Sequence, residues 1–167
     1  MEFTLLPLCT EDLKQFKKDM QEAFQKGAES DFEFEDLNEE ILPETDIDQS
    51  LMKKGAVAYK AVVDGQMVGG AIVVIDETTQ HNELDFLYVK YGTQSRGIGR
   101  AIWSAIEEKH PHTKVWETTT PYFEKRNIHF YINSCGFSAV EFFNPRQPDP
   151  VLFDDMEAFR FEKVMKR

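Results

Sequence analysis

The stretch "AVAYKAVVDGQMVGGAIVVID", Ala56 to Asp76, limits the possible folds more than any other part of the chain. Two runs rich in β-branched residues meet at Asp64-Gly65, a dipeptide that readily takes the positive φ angles of a tight turn, so the segment reads as an antiparallel hairpin. After a polar turn at "ETTQ", "HNELDFLYVK" supplies a further strand. Its apolar end runs into "YGTQSRGIG", and "GRAIWSAIEEKH" follows with Ile102, Ala105 and Ile106 on one helical face until Pro111. Beyond it "KVWETTT" reads as a strand, "YFEKRNIHFYINSCG" as a helix capped by Gly136, and "FSAVEFF" and "MEAFRFEKVM" as closing strands.

Upstream, "EFTLLPL" is a short strand and Thr10 reads as the N-cap of a helix with acids in its first turn. Leu13, Phe16, Met20 and Phe24 recur at helical spacing, and Gly27 is expected to close that helix. Glu29 to Asp48 holds ten acidic residues and no basic one, broken by apolar residues that suit a packed loop or short helices. A short helix at "IDQSLMKKG" ends at Gly55. Strands and helices in this order predict an α/β fold with a mixed sheet and helices on its faces.

A chain of 167 residues suits a single domain spanning 1–167. No apolar run approaches the roughly 18 residues of a membrane span, and the N-terminus lacks the pattern of a secretory signal, so a cytoplasmic location is expected. A net charge of -11 argues against sequence-independent binding to nucleic acid or anionic membrane. Cys9 and Cys135 show no disulfide or zinc spacing and are expected to pack as small apolar residues, and His81, His110 and His112 show no metal spacing.

A strand that runs into Gly-x-Gly at a helix start makes an anion site, because the first helical amides lack internal partners and the dipole adds positive potential. The Walker loop requires Gly-Lys-Ser/Thr, whereas Gly99 is followed by Arg100 and Ala101; the dinucleotide fingerprint requires a third glycine after the first strand of a parallel sheet. Gln94-Ser95-Arg96-Gly97-Ile98-Gly99 matches Q/R-x-x-G-x-G/A instead. With the preceding strand, the following helix and Gly136-Phe137 after a tyrosine-bearing helix, the sequence resembles the GNAT superfamily of acetyl-CoA-dependent N-acetyltransferases from about Val57 to Phe143.

That resemblance implies a mixed, mostly antiparallel central sheet of about 6–7 strands flanked by helices on both faces. It implies acetyl-CoA as co-substrate, its pyrophosphate on the amides of Gln94, Ser95, Arg96, Gly97, Ile98 and Gly99 and on the helix start at Arg100 and Ala101. The pantetheine arm would pair with backbone near Leu87, Tyr88 and Val89, which requires the sheet to splay there. Asn127 is carried over to the same cofactor site.

A lysine-like amine is neutral about once in 2,500 molecules at pH 7, a handicap of roughly 4.6 kcal/mol, so a carboxylate that takes its proton speeds attack on a thioester. Glu83 lies eleven residues before Gln94, the spacing of the glutamate base in the histone-acetyltransferase branch of the superfamily. Asp85 would point to the same face of a regular strand and is the second choice. The family's usual tyrosine acid stands four residues before the Gly-Phe glycine, whereas Tyr131 stands five before Gly136, so the "NSCG" turn must absorb one residue. His129 reads as a surface or packed residue. The acidic stretch from Glu29 to Asp48, without a counter-charge of its own, suggests a cationic acceptor: a small amine, a polyamine or a basic peptide. Two other readings stay open, a non-catalytic acyl-CoA-binding sensor and an interaction domain, and edges of the last strands offer a homodimer contact.

Overall fold

The computed structural model describes residues 2–31, 40–93, 97–147 and 157–166. Among them the order is β1 (Phe3–Pro7), a 3-10 turn (Thr10–Asp12), α1 (Leu13–Asp31), α2 (Glu44–Leu51), β2 (Ala56–Val63) and β3 (Gln66–Val74). There follow β4 (His81–Val89), α3 (Ile98–Lys109), β5 (Val115–Pro121), α4 (Lys125–Asn133), β6 (Ser138–Phe143) and β7 (Ala158–Val164). They form a seven-stranded sheet in the order β1-β2-β3-β4-β5-β7-β6. Every neighbouring pair is antiparallel except β4 with β5. The hairpin turns at Asp64 and Gly65, with φ of 51° and 79°.

Two apolar cores explain the layering. On one face Trp103 and Ile106 of α3 and Tyr131 of α4 pack with Trp116, Phe137 and Phe161, and the two indoles meet edge to face at 5.1 Å. On the other, Phe16 and Met20 of α1 and Ile47 of α2 pack on Ile72 and Tyr88. Gly70 lets α1 lie close, because a Cβ there would fall 2.5 Å from the Phe16 ring.

Three expectations change in detail. Cys9, not Thr10, precedes the first helical turn, and its amide donates to Asp12 Oδ2 at 3.3 Å. Cys9 is exposed rather than packed, and only Cys135 is buried. Helix α1 does not stop at Gly27 but runs to Asp31, since Ala28 is buried and Gln25 Oε1 accepts from the Ile41 amide at 3.0 Å. Tertiary contacts carry the helix through a residue that local propensity treats as a stop.

Part of the acidic stretch, residues 32–39, lies outside the described residues. Its end does have a counter-charge: Lys17 of α1 bonds Glu44 at 2.7 Å and Asp48 at 2.9 Å. None of the described helices is long and apolar enough to cross a membrane.

Candidate active site

The parallel pair β4–β5 is short. Only His81, Asn82 and Glu83 register with Val115, Trp116 and Glu117. Thr118 Oγ1 then donates to the Leu84 carbonyl at 2.8 Å, and beyond that point the strands part. The splay opens a cleft of about 1060 Å³, walled by Leu87, Tyr88 and Val89 of β4, the end of α1, the start of α3 and the inner face of α4. The backbone of β4 therefore faces a gap where a neighbouring strand would ordinarily bond it.

At the mouth, α3 begins behind Gly97, which has φ 85° and contributes no side-chain cap. The first helical bond runs from the Ala101 amide to the Gly97 carbonyl at 2.9 Å, so the amides before Ala101 have no place in the helical ladder. No acid occupies that first turn. Gly99 permits the close approach of the next helix: a Cβ there would lie 3.1 Å from the Phe130 ring. Gln94, Ser95 and Arg96 lie outside the described residues, while Gly97, Ile98, Gly99 and Arg100 line the cleft with Asn127 and Tyr131. Ala101 stands one step inside the helix.

The cleft's charge is opposite to that of the chain. Lys26, Lys90, Arg100 and Arg126 line it against Glu29 and Glu124, although the whole protein carries -11. Glu29 is already offset by Lys26 at 3.5 Å, and the buried Glu124 accepts from Asn127 Nδ2 at 3.2 Å. Lys26, Arg126, Glu124 and Ser134 went unread in the sequence, and Phe24 was read only as part of a helix's apolar face. They sit on α1 and α4, far from the glycine turn in sequence, and a helix expected to end at Gly27 does not signal that its last turns wall a site.

Tyr131 is 5% exposed, packed against Phe137 and Phe161, and still lines the cleft. The end of α4 departs from the regular helical ladder. Phe130 O accepts from both the Ser134 amide at 2.9 Å and the Cys135 amide at 3.1 Å, and Tyr131 O accepts from the Phe137 amide at 2.9 Å. Tyr131 lines the cleft although it stands five residues before Gly136. Burial, then the nearby Glu124 charge, hold its phenol well above the usual range, so it keeps its proton.

Glu83 and Asp85 share the α2 face of the sheet at the apex of the splay. A bulge follows, with Val73 paired to Leu84 and Ile72 to Phe86. Asp85 is committed: its Oδ2 receives Ser50 Oγ at 2.7 Å and Lys53 Nζ at 2.8 Å. Glu83 has no ion pair among the described residues. Opposite it stands Glu117, and opposite that Glu162, a like-charged row that Arg160 bridges at 3.2 and 2.6 Å. Glu83 is open to solvent on one side, but packed protein on the other, and then the Asp85 charge, raise its pKa above the ordinary carboxylate value, with Lys53 pulling the opposite way. His129 is exposed and bonds Asn133, away from this apex. Among the described residues no cluster of His, Cys, Asp or Glu is arranged to hold a metal.

Comparison with known proteins agrees with this architecture. A model of the Acetyltransferase (GNAT) family matches residues 13–137. The chain is 44% identical to the uncharacterized protein YrkN of Bacillus subtilis (strain 168) over 176 residues, 98% of this chain and 94% of that one. Among solved structures it resembles the PaiA N-acetyltransferase of Thermoplasma acidophilum in complex with coenzyme A, with TM-score 0.70 and 16% identity over 99% of this chain and 100% of that one. It also resembles the spermidine N-acetyltransferase of Vibrio cholerae in complex with CoA and spermine, with TM-score 0.68 and 11% identity over 97% and 95%. With a splayed sheet, an uncapped helix start behind Gly97 and a family match over most of its length, the chain belongs to the Acetyltransferase (GNAT) family.

Proposed function

We propose that this protein transfers an acetyl group from acetyl-CoA to a primary amine. The observation that carries the reading is the β4–β5 splay, which leaves strand backbone facing a cleft that ends at an uncapped helix start and whose charged lining residues are mostly cationic. Such a cleft suits a slender ligand with amides along its arm and phosphates at its end. Gly97, Ile98, Gly99, Arg100 and Ala101 would hold the pyrophosphate, joined by Gln94, Ser95 and Arg96. Leu87, Tyr88 and Val89 would pair with the pantetheine amides, with Asn127 on the opposite wall.

In this proposal Glu83 takes the proton of the incoming ammonium, directly or through water. The freed amine nitrogen bonds the acetyl carbon, the carbon–sulfur bond breaks, and Tyr131 gives its proton to the departing sulfur. The nitrogen's surplus proton restores Tyr131 by way of solvent, and Glu83 releases the proton it took to solvent, so both groups return to their starting states. Asp85, held by Ser50 and Lys53, supports Glu83 rather than replacing it. The acceptor is cationic, a polyamine-like small molecule or a basic peptide. Glu83, which has no ion pair among the described residues, supports this better than the acidic stretch, whose Glu44 and Asp48 are engaged by Lys17; Glu117 and Glu162 are engaged by Arg160 and Asp85 by Lys53.

Isothermal titration of the folded protein tests the donor site. Acetyl-CoA is expected to bind with a Kd of about 1–100 μM, the range of ordinary enzyme–substrate pairs. The affinity should weaken several-fold as added salt screens the lining cations. Absence of binding would overturn the proposal; binding without turnover on any cationic or neutral amine would leave a sensor. Tyr131→Phe, which removes one hydroxyl and keeps the packed ring, is expected to lower kcat about 100-fold with unchanged affinity for CoA. A turnover loss matched by a fall in Tm would mark Tyr131 as a packing residue instead.

A further inference from the structure

A second cleft, of about 630 Å³, lies beside the first and shares the wall Lys90 to Thr93 with it. Its other lining residues are Gln15 and Asp19 of α1 and Gln66, Met67 and Val68 of β3. Asp19 is 4% exposed. Its Oδ1 accepts from Gln15 Nε2 at 2.7 Å, but its Oδ2 has no partner among the described residues. The buried Tyr88 hydroxyl, close enough for the Asp19 charge to act on it, is likewise unpartnered. A buried carboxylate oxygen without a donor is a rare and unfavourable arrangement, and its natural complement is a bound cation or donor.

The lining indicates which cation. A single carboxylate, with no cluster of ligating side chains among the described residues, does not make a divalent metal site. Asp19, the carbonyl oxygens of the Gln15 and Gln66 side chains, and the Thr93 hydroxyl are acceptors suited to the three N–H groups of a primary ammonium. Met67 and Val68 offer an apolar wall for a short alkyl chain, and the exposed Tyr91 ring stands at the rim.

We propose that this second cleft binds a small primary alkylammonium ion through Asp19, at a site separate from the acetyl-transfer cleft. The inference does not depend on the acetyltransferase reading, because none of its contacts lies at the β4–β5 apex. The bound ion would touch the segment Lys90 to Thr93 that leads into the Gly97 turn.

The test is a titration of the full-length protein, without CoA, with propylammonium chloride, followed by amide chemical shifts and ligand-detected saturation transfer. Saturable binding is expected, with the largest shifts at Gln66 to Val68 and Lys90 to Thr93. Tetramethylammonium, which has no N–H, should bind at least tenfold more weakly, and Asp19→Asn should weaken propylammonium at least tenfold. No binding, an affinity unchanged by Asp19→Asn, or shifts confined to Glu83, Asp85 and Glu117 would overturn the site; the last would place the amine on the acceptor side alone. Should Asp19→Asn fail to fold, the shift map and the tetramethylammonium comparison on the unaltered protein decide the matter.

Discussion

Replacing Gly97 with glutamate is expected to weaken coenzyme A binding at least a hundredfold while the protein stays folded. Gly97 sits at φ 85°, so any side chain there adds strain of about 1–2 kcal/mol. A Cβ meets nothing within 4 Å, so there is room for the new side chain. The added carboxylate would stand at the uncapped start of α3, where a negative charge suits the helix dipole and offsets part of the strain. The same carboxylate then occupies the place proposed for the pyrophosphate and repels it. Gly97→Ala is the control: it carries the strain without the charge and should weaken binding far less. Titration of both variants, with thermal melts alongside, separates the two effects. A change of less than threefold in Gly97→Glu would show that the α3 turn does not hold the phosphates.

Glu83→Gln should lower kcat about 100- to 1,000-fold at neutral pH, within the usual range for a general base. The gap should narrow as pH rises, because the acceptor then loses its proton to solvent unaided. The sign of the acid limb follows from burial and the Asp85 charge, which hold the Glu83 pKa above its ordinary value. Glu83 therefore takes up a proton at higher pH than a free glutamate, and turnover should fall through that raised value as pH drops. Asp85→Asn removes the second cause and should move the limb to lower pH. The stability sign is opposite to that of a salt-bridged acid. A carboxylate with a raised folded pKa contributes stability below its unfolded pKa and loses it as pH rises through the folded one. Glu83→Gln should then melt no lower than the unaltered protein at neutral pH, so lost turnover cannot be ascribed to unfolding. A pH profile in Glu83→Gln parallel to that of the unaltered protein would remove it as the base.

The hairpin, the strand after it and the helix behind the glycine turn were legible because local chemistry dictates them. Asp64-Gly65 sets the turn, and Ile102 and Ile106 mark the buried side of α3. The sheet order was not legible in the same way. That β7 inserts between β5 and β6 depends on long-range pairing, with Thr119 opposite Arg160 and Glu141 opposite the same arginine. The glycine motif pointed to the cleft mouth, yet the cations that give the cleft its charge come from α1, α3, α4 and the segment after β4 and become neighbours only in the fold. Tyr131 shows the limit of spacing arguments: counting residues to Gly136 does not say whether it reaches the cleft, and only the fold places it on the cleft wall. Asp85 shows another, since Ser50 and Lys53 come from a helix end that strand periodicity does not register.

The gap between β4 and β5 also bears on aggregation. An exposed strand edge ordinarily invites another chain to extend the sheet, and proteins blunt such edges with charge, proline or cover. Here an unpaired edge lies inside the sheet, with α1 and α4 covering it. It can remain open to a thin extended ligand without offering the protein's own copies a template for growth. The outer strands β1 and β6 must manage their edges in the ordinary way, and Pro7 at the end of β1 is one such device.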